Sequence, residues 1–253
     1  MENADDELVL DTVTLIRDGY GEADVLTALQ PDEDVGMTFD LTAVTKAFRR
    51  GLPNPESDLE GKKKPHLTNY RSETLEFVAR YALRVAHGIN FPVHPQRGKL
   101  NVNQPVLGFD GWGIFESADD GFKLALIQVK GTDEDRVPPR EATKLADECT
   151  RIPTSVDEVC RALSVMIVNL PVGPELYAIG AILESLADAD ELPPVLIAPV
   201  VVRGLQPASN DDLGPIRDVA AGIEPSGMRG LSVRIGVDLT AFGHTVMTRA
   251  RAA

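Results

Sequence analysis

Apolar positions along the chain recur with two periods, and the periods divide it into elements. In RSETLEFVARYALRVAH (71–87), Leu75, Val78, Ala79, Ala82, Leu83 and Ala86 keep the spacing of one helix face, and Gly88 supplies the stop. VLGFDGWGIFE (106–116) and FKLALIQVK (122–130) are short apolar runs on either side of SADDG. That pattern predicts a β-hairpin with its loop at 117–121. Three helical segments follow: REATKLADECTRI, then SVDEVCRALSVMIVNL with Ser155 and Glu158 at capping-box spacing, then GPELYAIGAILESLADAD. PPVLIAPVVVRG (193–204) is a continuous, largely β-branched run, as expected of a strand covered on both faces. LSVRIGVDLTAF (231–242) reads as a last strand. Near the start, Asp40 is placed to cap a short helix, while LVLDTVTLIRD fits a strand or a helix equally. GLPNPESDLEGKKKPH reads as loop and INFPVH as an extended piece.

The order helix, hairpin, helices, strand, strand predicts an α/β or α+β domain of three layers, with a mixed central sheet flanked by helices. Residues 1–60 read as an N-terminal accessory segment and 61–253 as the main domain.

Composition narrows the class. At 253 residues and 43% hydrophobic content the chain can bury a sizeable core. It has no apolar run of about 18 residues, so no membrane span is expected. The acidic start MENADDELVLD does not resemble a signal peptide, and Cys149 and Cys160 read as reduced, buried thiols. A cytoplasmic protein is the expectation. The net charge of −14 argues against a surface that coats nucleic acid all round. The charge is uneven, however. Residues 1–60 hold 15 Asp and Glu against 4 Lys and Arg, whereas residues 61–100 hold 8 Lys and Arg against Glu73 and Glu76 alone. Lys62, Lys63, Lys64, Arg71, Arg97 and Lys99 in this stretch are candidates for contacts with DNA phosphates.

The chemistry gathers at the hairpin. Residues two apart on a strand share a face, so Gln128 and Lys130 project together while Ile127 and Val129 project the other way. Pairing across the loop sets Asp110, flanked by Gly108 and Gly111, beside the Gln128–Lys130 end. Glu76 or Glu73 on the preceding helix offers a further carboxylate. Glu76 is the first choice, because an acid in a helix's first turn, such as Glu73, is already explained by the helix dipole. Two carboxylates and an amide oxygen suit a hard cation such as Mg²⁺ or Mn²⁺, and a lysine beside it can stabilise charge developing on a phosphate. Each residue also has a plainer role: Lys130 as an edge-strand charge, Asp110 as a turn residue, Trp112 as core.

Asp110, a hairpin, then Gln128-Val129-Lys130 resembles the PD-(D/E)XK nuclease superfamily, in the variant with Gln for the acid of the last element. Glu76, Ala79, Leu83 and Gly88 resemble that superfamily's helix before a glycine. Its core motifs span 71–132 here. RSETLEF, KLNVNQPVLGFDGWGIFE, LALIQVKG and the late apolar strands resemble the HamA family of the Hachiman anti-phage system. The resemblance implies a restriction-endonuclease-like core that cuts DNA with Mg²⁺ or Mn²⁺ and works with a separately encoded helicase. Asp110, Gln128 and Glu76 would hold the metal, with Lys130 as the fourth residue of the active site. One departure stands out: the family commonly has Glu where this chain has Gln128, and a neutral ligand weakens cation binding. A nuclease-like subunit that binds without cutting is therefore the alternative expectation.

Overall fold

A computed structural model describes residues 3–30, 38–56, 69–98, 110–117, 121–151, 156–170, 172–190, 195–222 and 227–252. The described residues form two compact units. One gathers parts of 1–78, 94–107 and 237–253, and the other parts of 79–93 and 108–236. The described residues among the first sixty therefore share a unit with the first half of the 71–87 helix and with the C-terminal helix.

The first unit is helical. Residues 8–18, undecided in sequence, lie in α1 (Asn3–Tyr20), which buries Val9, Val13 and Ile16 at helical spacing. After α2 (Glu22–Ala28) comes α3 (Leu41–Arg50). As expected, Asp40 caps α3, its carboxylate accepting from the Thr42 and Ala43 N–H groups at 3.0 and 3.1 Å. The helix at 71–87 is α4 (Asn69–His87), and the unit boundary falls within it.

The second unit holds the sheet. Strands β1 (Gly111–Ser117), β2 (Gly121–Thr132), β3 (Leu196–Arg203) and β4 (Leu231–Arg234) lie in the order β1-β2-β3-β4. The first pair is antiparallel and the next two are parallel, the mixed sheet that the order of elements predicted. The two parallel connections run through helices: α5 (Arg140–Cys149), α6 (Val156–Asn169) and α7 (Pro174–Ser185) precede β3, and α8 (Gly214–Ala220) precedes β4. Leu124 and Leu126 of β2 join Ala142, Leu145 and Cys149 of α5 and Val159 and Leu163 of α6 in one buried cluster. Every residue of β3 is buried, as its unbroken apolar run required. Among the described residues, no helix is long and apolar enough to cross a membrane.

Three expectations change. Pairing continues to Ser117 opposite Gly121, so the hairpin connection is 118–120 and not 117–121. The run 231–242 is not one strand: β4 stops at Arg234, Gly236 takes φ 99°, and α9 (Leu239–Arg251) begins with Asp238 accepting from the Ala241 N–H at 2.8 Å. Leu239, Phe242, Val246, Met247 and Ala250 form the buried stripe of α9. In INFPVH only Asn90 pairs, through two backbone hydrogen bonds of 2.8 Å with Ile114. Ser155 lies outside the described residues.

That Asn90 pairing leaves no room at Gly113. A Cβ there would sit 2.8 Å from the Asn90 carbonyl oxygen, 2.8 Å from Ile89 Cγ2 and 2.9 Å from Phe91 Cε1. The carbonyl cannot retreat without breaking its bond to Ile114. Gly113→Ala is expected to destabilise the sheet unit by about 1–3 kcal/mol, the usual cost of overpacking, read as a lower urea midpoint at unchanged slope.

Candidate functional site

Gln128 and Lys130 occupy the face of β2 that carries Leu124 and Leu126, the face α5 covers. There both meet one carboxylate, Glu148, in the last turn of α5. Gln128 Nε2 donates to Glu148 Oε2 at 2.7 Å, and Lys130 Nζ lies 2.8 Å from Glu148 Oε1. Gln128 is buried, whereas the Lys130 and Glu148 side chains keep 25% and 37% of their surface in solvent.

Asp110 stands immediately before β1. The register pairs Gly111 with Ile127, so one more step sets Asp110 opposite Gln128. Its Oδ2 accepts from the Val129 N–H at 2.7 Å, and its backbone carbonyl accepts from Arg80 Nη2. Arg80, on the second half of α4, is buried. Gly111 does leave space here, but for Arg80: a Cβ at Gly111 would lie 3.1 Å from Arg80 Nε and 3.1 Å from Ile127 Cγ2.

The electrostatics follow from this enclosure. Burial raises the Asp110 pKa above the ordinary carboxylate value, and the Glu148 charge adds to the rise. The Val129 N–H and the charges of Lys130 and Arg80 oppose it without cancelling it. Next to Glu148, burial and the adjacent carboxylate push the Cys149 thiol up to about 12, so it stays protonated and unreactive at neutral pH. Both cysteines are free, Cys149 buried and Cys160 only half-buried, where the sequence suggested two buried thiols.

The donor set is therefore two carboxylates and a primary amide, with an ammonium beside them. These are hard oxygen donors, the kind that Mg²⁺ and Mn²⁺ take. Among the described residues, no three His, Cys, Asp or Glu side chains gather where they could hold a metal ion. A cation here would rely on the amide oxygen or on water to complete its shell.

No protein-family model matches the chain, and no curated protein matches it significantly.

Glu73 and Glu76 belong to the helical unit. Glu73 is buried and accepts from Tyr20 Oη and from Asn69 Nδ2, the latter at 2.8 Å. Glu76 accepts from Gln96 Nε2 at 2.6 Å. Arg97 is exposed and pairs with Asp24 at 2.7 Å, while Arg71 is half-buried. Lys62, Lys63, Lys64 and Lys99 lie outside the described residues. Trp112 packs against the core of the sheet unit, as its plainer reading supposed.

Two residues escaped the sequence reading. Arg80 was counted only as one charge of the basic stretch. Glu148 had a usable signal: it follows Leu145 by three in a helix whose buried positions are Ala142, Leu145, Ala146 and Cys149. An acid at the spacing of an apolar stripe sits at the edge of the buried face, where β2 passes.

Proposed function

We propose that the chain is a metal-dependent DNA nuclease, the effector subunit of a prokaryotic anti-phage defence system with a separately encoded helicase partner. The observation that carries the chemical part is the meeting of Asp110, Gln128 and Lys130 at one end of the hairpin. The defence setting and the helicase rest on the resemblance to the HamA family. In this reading Asp110 and Gln128 hold Mg²⁺ or Mn²⁺. The ion, when bound, would polarise the scissile phosphodiester and ease ionisation of water. Lys130 orients that water or stabilises the charge developing on phosphorus. The basic stretch at 61–100 supplies phosphate contacts.

Gln128 favours a second reading. It brings no charge to the cation, and Glu148 engages both Gln128 and Lys130. A nuclease-like subunit that binds DNA or another protein without cutting would tolerate both features.

Cleavage of supercoiled plasmid separates the two. Wild type is expected to cut with Mg²⁺ or Mn²⁺ and to stop in EDTA, while Asp110→Ala and Lys130→Ala fail to cut. Equal cleavage by all three proteins overturns the catalytic assignment. No cleavage by any of them, together with a tight complex with another protein, supports the second reading.

A further inference from the structure

The bonds made by Glu148 have a consequence for position 128. A strand position that faces a cation but carries an amide leaves the site one negative charge short, and charge count governs affinity for hard cations. In this chain a carboxylate sits 2.7 Å from that amide, delivered by α5 and not by the strand. It is partly open to solvent, and it stands near enough to Asp110 for its charge to add to the effect of burial on that carboxyl. Gln128 Nε2 is turned toward Glu148, so the amide oxygen is not consumed by their hydrogen bond.

We propose that Glu148 is the second carboxylate of the cation site, supplying from α5 the charge that position 128 lacks. This rests on the nuclease reading only in taking a divalent cation to bind at Asp110. Lys130 Nζ and Gln128 Nε2 both engage Glu148, and a cation bound at Asp110 would share that carboxylate with them.

The geometry has a direct genetic form. One amide and one carboxylate face each other, on β2 and α5. Exchanging them, as Gln128→Glu with Glu148→Gln, keeps both groups and the hydrogen bond while reversing which element carries the charge. The test is the Mn²⁺-dependent rise in Tm of the full chain, using MnCl₂ alone as ligand and circular dichroism to verify folding. Wild type is expected to show the rise, Asp110→Asn and Glu148→Gln to lose it, and the exchanged double variant to recover it. The exchanged variant also covers the case in which Glu148→Gln misfolds, since it retains a partner for both positions. A rise lost in Asp110→Asn but retained in Glu148→Gln overturns the role of Glu148 and leaves the cation site at Asp110 standing. No rise in folded wild type overturns both. Failure of the exchanged variant, folded, to recover any rise also counts against Glu148 as a ligand.

Discussion

Asp212→Ala is expected to lower the stability of the sheet unit by about 3–5 kcal/mol, the cost of leaving a buried charge without its partner. The stranded charge is Arg203, at the end of β3. Both side chains are fully buried. Arg203 Nε donates to Asp212 Oδ2 at 3.1 Å, Nη2 donates to Asp212 Oδ1, and Nη1 and Nη2 also donate to the carbonyls of Glu134 and Arg136 at 2.6 and 2.7 Å. Asp212 Oδ2 further accepts from Ser232 Oγ at 2.6 Å and the Ser209 N–H at 3.1 Å. One ion pair thus ties the segment leading into α5, the turn after β3, and β4. The Glu134 carboxylate in that segment also accepts from the Arg140 N–H at 2.9 Å, at the start of α5. Loss of Asp212 therefore loosens the segment that aims α5, and Glu148 with it, at β2.

The pH dependence of this pair has a definite sign. Burial by itself would raise the Asp212 pKa, but hydrogen bonds from Arg203, Ser232 and the Ser209 N–H, with the Arg203 charge, hold it below the ordinary carboxylate value. A carboxylate with a depressed folded pKa contributes its full stabilisation above the unfolded value and loses it as pH falls toward the folded one. Wild type should lose stability on acidification through that window. Asp212→Ala, already weakened, should lose less, in denaturant melts over the same pH range.

Asp110→Asn is expected to have the opposite profile: no loss of stability at neutral pH, and loss of cleavage. The folded pKa of Asp110 is raised, so the folded protein holds that proton more tightly than the unfolded chain. Its contribution is therefore most favourable below the ordinary carboxylate range, declines as pH rises from there to the folded value, and stays reduced above it. Asparagine removes the charge and keeps an oxygen to accept from the Val129 N–H. Metal-free Asp110→Asn should match or exceed wild type in Tm at neutral pH, and the difference should shrink on acidification. A cation site would use the same ionised carboxylate that costs stability in its absence, as charged groups at functional sites commonly do.

Much of this arrangement was legible in the sequence, for identifiable reasons. The hairpin register depends on the centre of the connection and not on its length. Misplacing the loop ends by one residue on each side left Asp110 opposite Gln128. The shared face of Gln128 and Lys130 followed from the pleat alone. The β3 run was readable because burial on both faces leaves an unbroken apolar stretch from Leu196 to Val202, and only Arg203 at its end is charged. Long-range placement is what local pattern does not carry. That Glu148 meets Gln128 depends on how α5 docks on β2, which local periodicity does not encode. That Glu73 and Glu76 have partners in Tyr20, Asn69 and Gln96 depends on the packing of a unit whose members are far apart in the chain. The strand assigned to 231–242 ignored Asp238, whose capping position marks the helix start.

The central claim is that Asp110 serves a cation and a reaction and not the fold. Its most direct test is plasmid cleavage in Mn²⁺ by wild type and Asp110→Asn, at a temperature where melts show both fully folded. The account predicts cleavage by wild type and none by Asp110→Asn, whose Tm is at least as high. Equal cleavage by the two folded proteins, or a variant that loses cleavage only because its Tm has collapsed, would contradict it.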